Sequence, residues 1–228
     1  MASEPKVALI DNSLYPDLYK PVDHWRKYLA VPFQVFRAKE VQFPELSDGF
    51  THIILTGSEA SILERDEWVR QEVEFIRLAF NRGLALLGSC YGHQLLALSL
   101  LGEAHVRRCL QPEIGWIKIK ALRPHEFFGH KKQFYAFSIH FDEVVDLKPP
   151  FYSLAETEIC SIQAMEMKGE RVWGIQFHPE INLVEARFLL QELVKRGWPH
   201  QDLFIQALKM EPRDSGVINS IITSFLKS

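Results

Sequence analysis

Short apolar runs alternate with amphipathic stretches along this chain, the pattern of an α/β domain. Lys6–Asp11 (KVALID) is a compact apolar run and reads as a buried strand. His52–Thr56 (HIILT) reads as a second strand that ends at Gly57. Asp66 then opens a helix, in which Val69, Val73, Ile76 and Phe80 recur at helical spacing until Gly83 stops it. Leu84–Gly88 (LALLG) predicts a third strand, followed at once by an apolar helix over Tyr91–Leu101.

The second half changes character. Trp116–Lys120 (WIKIK) alternates strictly, which predicts a strand with one wet face. Gln133–Ser138, Phe151–Ala155, Ile162–Met165 and Val172–Phe177 read as further strands, the last two joined by a turn at Met167–Glu170. More antiparallel pairing is expected here than in the first half. After Pro179 the pattern becomes helical. Asn182 and Glu185 have capping-box spacing, and Leu183, Ala186, Leu190 and Leu193 form the expected packing face. Pro199–Ser228 reads as two helical pieces around Pro212–Gly216. The expected organisation is one domain over residues 1–181, with a helical extension over residues 182–228 packed on it.

Composition narrows the functions open to such a chain. It has 228 residues, 47% of them hydrophobic, and a net charge of −3 with both signs mixed throughout. That balance gives no electrostatic footprint for nucleic acid. The longest apolar runs are too short to cross a bilayer. MASEPKVALID lacks the pattern of a secretory signal, so a cytoplasmic location is expected. Three cysteines, Cys90, Cys109 and Cys160, do not suggest a disulfide framework, and no ligand spacing suggests zinc.

The sharpest chemical signal is Gly88-Ser89-Cys90-Tyr91-Gly92. An apolar strand runs into a small-residue turn that carries a nucleophile, and a helix starts immediately, as in a nucleophile elbow. The helix N-terminus there favours a thiolate. A buried structural cysteine is the alternative for this segment alone. The second signal is Gly174-Ile175-Gln176-Phe177-His178-Pro179-Glu180. Its strand delivers His178 at the end, Pro179 breaks the pairing, and Glu180 lies within reach of the same imidazole. A cysteine nucleophile needs a base, and the base needs an orienting group.

Taken together, the two segments resemble class I glutamine amidotransferases. Gly88-Ser89-Cys90-Tyr91-Gly92-His93-Gln94 matches the family's G-x-C-x-G-x-Q elbow, and Phe177-His178-Pro179-Glu180 matches its F-H-P-E segment. The resemblance covers roughly Lys6 to Ile181. It is closest to the glutaminase domain of GMP synthetase and its stand-alone relatives. It implies a flavodoxin-like, mostly parallel sheet with helices on both faces and antiparallel additions in the second half. It also implies Cys90 as nucleophile, His178 as general acid/base and Glu180 as its orienting carboxylate.

Two weaker segments extend the resemblance. Ile53–Ser58 (IILTGS) is similar to a loop that ends in paired glycines in the family, with Ser58 in place of the second. This implies an oxyanion hole from the N–H groups of Ser58 and Tyr91, with Gly57 against the substrate. Ser138–Val144 (SIHFDEV) is similar to the family's S-H-G-D-x-V stretch, with Ile139 for Ser and Phe141 for Gly. By resemblance, Gln94, His140 and Phe141 line the substrate site, and the bulk of Phe141 would narrow it.

The implied reaction is attack of Cys90 on the side-chain carbonyl of glutamine or a related γ-glutamyl amide, through a thioester, with no cofactor and no metal. The sequence has no phosphate-binding loop. The nitrogen is therefore expected to pass to a separate synthetase subunit, or else the protein acts alone as a γ-glutamyl hydrolase. A non-catalytic regulator on the same fold is a further alternative, as is another elbow-cysteine hydrolase. Of the remaining residues, Cys109 and Cys160 are expected to be structural, Trp116 and Trp173 core, and His125 and His130 solvated.

Overall fold

A computed structural model describes residues 4–228. The first three residues, where the segment inspected for a secretory signal begins, lie outside the described part. The strands are β1 (Val7–Asp11), β2 (Phe33–Arg37), β3 (His52–Leu55), β4 (Ala85–Ser89), β5 (Val106–Ala121), β6 (Gln133–Val144), β7 (Phe151–Glu156), β8 (Ala164–Met167) and β9 (Val172–Ile175). The helices are α1 (Pro21–Arg26), α2 (Glu67–Asn81), α3 (Tyr91–Leu100), α4 (Leu183–Lys195), α5 (Gln201–Lys209) and α6 (Ile218–Leu226).

All nine strands form one sheet in the order β2-β1-β3-β4-β9-β8-β7-β5-β6. The first five are parallel, with Leu9 facing Val35 and Ile54, Ile54 facing Leu87, and Gly88 facing Gly174. Their order is that of flavodoxin-like sheets, in which ligands sit beyond the carboxyl ends of the strands. The other four pair antiparallel. The sheet curls so far that its last strand returns to the centre. The His178 amide, three residues beyond β9, donates to the Phe137 carbonyl of β6 at 2.8 Å, forming an isolated antiparallel bridge. This closure sets the depth of the site.

Parallel strands are covered on both faces, which explains their unbroken apolar runs. On one face α2 and α3 pack through Val69, Ile76, Leu95 and Leu96. On the other, Trp25 of α1 and Ile218, Ile221 and Phe225 of α6 pack with Phe127, Phe128 and Phe177. A third cluster joins Leu189, Leu190 and Phe204 of α4 and α5 to Leu18, Trp116 and Phe137. The C-terminal helices therefore contribute to two of the three apolar clusters. The capping box at Asn182 and Glu185 is complete and starts α4.

Several sequence expectations need correction. The strand expected at Trp116–Lys120 is the second half of a 16-residue strand. Its first half carries Arg107, Arg108, Glu113 and other polar residues that hide it from a hydrophobicity pattern. Strand β6 runs on to Val144, six residues beyond the strand expected at Gln133–Ser138. Leu183 is exposed rather than part of the α4 packing face. His125 is held by Glu166 at 3.2 Å instead of being solvated. Trp173 is only partly buried, although Trp116 is core as expected.

Candidate active site

Strand β4 ends at Ser89, and α3 begins at Tyr91, leaving Cys90 alone in the turn. Its φ of 50° and ψ of −103° lie outside the regions that residues with a side chain favour. Strain of this kind persists only where the surroundings enforce it. Here the Cys90 amide donates to Ile175 O at 2.7 Å, which ties the turn to the end of β9. The flanking glycines are required by contact. A Cβ on Gly88 would lie 2.3 Å from Gly92 O, and one on Gly92 would lie 2.2 Å from Leu55 O.

Beyond β9, Gln176, His178 and Glu180 alternate with Phe177. Phe177 points to the core and is fully buried. Gln176 Nε2 lies 3.6 Å from Cys90 Sγ. His178 Nδ1 lies 2.7 Å from Glu180 Oε1, so the second ring nitrogen remains for other work. Burial opposes charge on His178, but the Glu180 carboxylate and the adjacent Cys90 sulfur outweigh it, raising the imidazole to about 10. Glu180 is also approached by Ser89 Oγ at 3.4 Å and Tyr19 OH at 3.5 Å. Tyr19 further meets the His178 ring edge-on at 5.9 Å between centroids.

Gly57 fits beneath this imidazole. A Cβ there would lie 2.7 Å from His178 Cε1 and 2.8 Å from Tyr19 OH. Ser58, the departure from paired glycines, keeps φ out of the left-handed region. Its Oγ accepts from Ala60 N at 3.0 Å, so the side chain serves its own turn. Tyr91 opens α3, and an amide at that position has no acceptor within its helix. Both Ser58 and Tyr91 line the same cavity as Cys90 and His178.

That cavity measures about 140 Å3 and also contacts Gln94, His140 and Phe141. Seven of the nine expected site residues line it, and Gly57 and Glu180 lie against His178 instead, but not all present free polar groups. Gln94 Nε2 donates to Asp142 O at 2.7 Å and to Gln176 Oε1 at 3.2 Å. His140 Nε2 faces Glu113 Oε2 at 3.1 Å, while its Nδ1 lies 3.1 Å from Asp142 O and 3.3 Å from Cys109 Sγ. Ligand atoms of Glu113, His140 and Cys160 come within 4.8 Å of one another, a buried cluster that spacing did not reveal. Gln163 donates to the same Glu113 oxygen, so the carboxylate is already served by protein groups. Phe141 stacks on His200 at 4.9 Å, which holds its ring against the C-terminal segment.

Sequence reasoning missed Tyr19, Gln176 and Ser89 as partners of the site. Gln176 and Ser89 were legible in principle: Gln176 shares strand parity with His178, and Ser89 precedes the elbow cysteine. Tyr19 carries no local signal, since it reaches Glu180 across 161 positions.

Sheet and site together define an α/β protein with an elbow cysteine facing a buried His–Glu pair. The family model described as glutamine amidotransferase class-I matches residues 21–195. The chain belongs to that family. A subunit of a glutamine-hydrolyzing GMP synthase from Methanocaldococcus jannaschii is 37% identical over 107 residues, 46% of this chain and 56% of that protein. The protein of the same name from Methanococcus vannielii is 30% identical, covering 70% of this chain and 80% of the relative. The chain thus spans little more than half the length of the first relative. Among solved structures, a glutamine amidotransferase from Thermotoga maritima superposes with a TM-score of 0.76 at 21% identity, covering all of both chains. That likeness concerns the fold. No helix among the described residues is long and apolar enough to cross a membrane.

Proposed function

We propose that the protein hydrolyses the side-chain amide of glutamine, or a related γ-glutamyl amide, through a thioester on Cys90. The single observation that carries this is the buried His178–Glu180 pair at 2.7 Å beside a strained elbow cysteine. A base held by a carboxylate next to a nucleophile at a helix N-terminus is the arrangement that acyl transfer needs. Cys90 attacks the carbonyl carbon. The N–H groups of Ser58 and Tyr91 face the developing oxyanion. His178 gives its proton to the leaving nitrogen and later takes one from the hydrolytic water. Glu180 keeps Nδ1 protonated and the ring aimed. Gln176 holds the sulfur, while Gly57, Gln94, His140 and Phe141 shape the cavity wall.

The two archaeal relatives are named as glutamine-hydrolyzing parts of a GMP synthase. Those names support transfer of the nitrogen to a separate synthetase partner. A free reactive thiol suits a reducing compartment such as the cytoplasm. We treat residues 182–228 as an extension of the domain at 1–181, because Leu189, Leu193, Trp198 and Phe204 complete the cavity wall. The test is release of glutamate from glutamine and from N-substituted γ-glutamyl amides by the purified protein. Loss of all turnover in Cys90→Ala is expected. Turnover by that variant at the wild-type rate would remove Cys90 from the reaction.

A further inference from the structure

We infer that the cavity contains a subsite for the amine half of the substrate, and that it takes γ-glutamyl amides whose nitrogen carries an uncharged apolar group in preference to glutamine. This rests on the reading of Cys90 as the γ-glutamyl acceptor and names the substrate class of that same site.

The cavity has two unlike ends. One is polar. Ser61 Oγ donates to Asp142 Oδ2 at 2.6 Å, and Arg108 pairs with Asp142 Oδ1 at 3.2 Å while its side chain stays 56% exposed. Glu59 Oε2 accepts from Leu14 N at 2.8 Å, but its Oε1 is buried without a partner. The part-exposed Arg108 guanidinium complements the carboxylate of an α-amino acid. Glu59 follows Ser58, so this end adjoins the oxyanion side of the reacting carbonyl.

The other end is apolar. It is formed by Leu18, Ile181, Leu189, Leu193, Trp198 and Phe204, with no charged side chain among them. These residues share one apolar cluster with Tyr19 and Phe137, whose rings both meet His178, so the wall lies on the imidazole side. Leu18 precedes Tyr19, whose ring meets His178, and Ile181 follows Glu180, whose carboxylate holds His178. His178 protonates the leaving nitrogen, so any substituent on that nitrogen extends toward this wall. Ammonia has no apolar surface to bury there, whereas an alkyl group does.

The chemistry balances for such a substrate. The Cys90 thiolate forms an S–C bond to the γ-carbon. The C–N bond breaks, its electron pair stays on nitrogen, and the His178 proton completes the free amine. Water then adds to the thioester and gives a proton to His178. The S–C bond breaks, and glutamate leaves with the thiolate restored.

Matched probes test this: glutamine, γ-glutamyl-n-butylamide and γ-glutamylglycine, whose amine half is small and charged. The expected result is a kcat/KM for the butylamide about tenfold above that for glutamine or more, with no gain for γ-glutamylglycine. Trp198→Ala and Leu189→Ser should each lower the butylamide-to-glutamine ratio by about tenfold. That ratio does not depend on the fraction of folded enzyme, because both substrates report on the same molecules. Glutamine turned over as well as the butylamide, or a ratio unmoved by both variants, overturns the inference while leaving Cys90 chemistry intact. No turnover of any probe, together with failure of a glutamine-like diazo ketone to label Cys90, overturns the underlying reading and this one with it.

Discussion

His178 Nδ1 and Glu180 Oε1 lie 2.7 Å apart, with the two side chains only 3% and 0% exposed. At that distance and depth the carboxylate fixes both the ring orientation and the tautomer. It also stabilises the imidazolium that forms when the ring takes a proton. Glu180→Gln keeps the shape but loses the charge, and its amide can present an N–H to Nδ1. The expected outcome is a fall in kcat of roughly 100-fold or more with KM little changed. Steady-state kinetics on glutamine or a γ-glutamyl amide decide it, and a kcat within twofold of wild type would take Glu180 out of the mechanism.

The three cysteines should differ sharply toward electrophiles. All three are buried. Burial pushes the Cys160 thiol up to about 12 and raises Cys109 further still, each reinforced by nearby acidic groups. Thiols held in that form do not react at neutral pH. A glutamine-like diazo ketone should therefore modify Cys90 alone, read by peptide mass spectrometry. Comparable labelling at Cys109 or Cys160 would show that Cys90 has no special activation.

Four of the five parallel strands and the two candidate catalytic segments were legible because each is local. Five consecutive residues specify the elbow, and four place His178 and Glu180 on one strand end. The rest depends on distant pairing. The curl of the sheet arises where β6 meets the His178 backbone, and no sequence periodicity encodes that bridge. Strand β2 (FQVFR) is half-buried and runs into Arg37, Lys39 and Glu40, so its pattern carries little signal. Phe141 illustrates a different limit. Its bulk was visible in the sequence, but its stacking on His200 was not, and that contact decides which way the ring faces.

Glu72 gives a prediction about stability. It is fully buried on α2, and burial raises it from 4.5 to about 8 against a smaller lowering by the nearby Asn12 side chain. Between those values the folded protein keeps a proton that the unfolded chain releases. Stability contributed by the neutral form is complete below about 4.5 and falls as pH rises toward 8. Glu72→Gln removes this titration. It should leave the thermal midpoint at pH 5 nearly unchanged and raise stability at pH 9 by on the order of 2–4 kcal/mol relative to wild type. Parallel pH profiles of wild type and variant would refute the assignment.

Gly57 offers the most discriminating test of how the site is assembled. Its backbone does not need a left-handed φ, so alanine is tolerated conformationally. What excludes alanine is the space above it. The added methyl would sit 2.7 Å from His178 Cε1 and 2.8 Å from Tyr19 OH, both closer than van der Waals contact allows. Tyr19 is buried and packs against His178, so the two rings cannot both retreat without breaking their approach to Glu180. The imidazole is the group that must shift, and a displacement of about 1 Å at a general base costs roughly 100-fold in rate. Gly57→Ala should thus lose about 100-fold in kcat while remaining folded, with a destabilisation of about 1–3 kcal/mol from overpacking. Tyr19→Phe in the same background removes the hydroxyl and one of the two clashes, and should recover part of the loss. Circular dichroism confirms the fold, and kinetics on the single and double variants read the effect. Full activity in Gly57→Ala would mean that His178 does not occupy this position during the reaction.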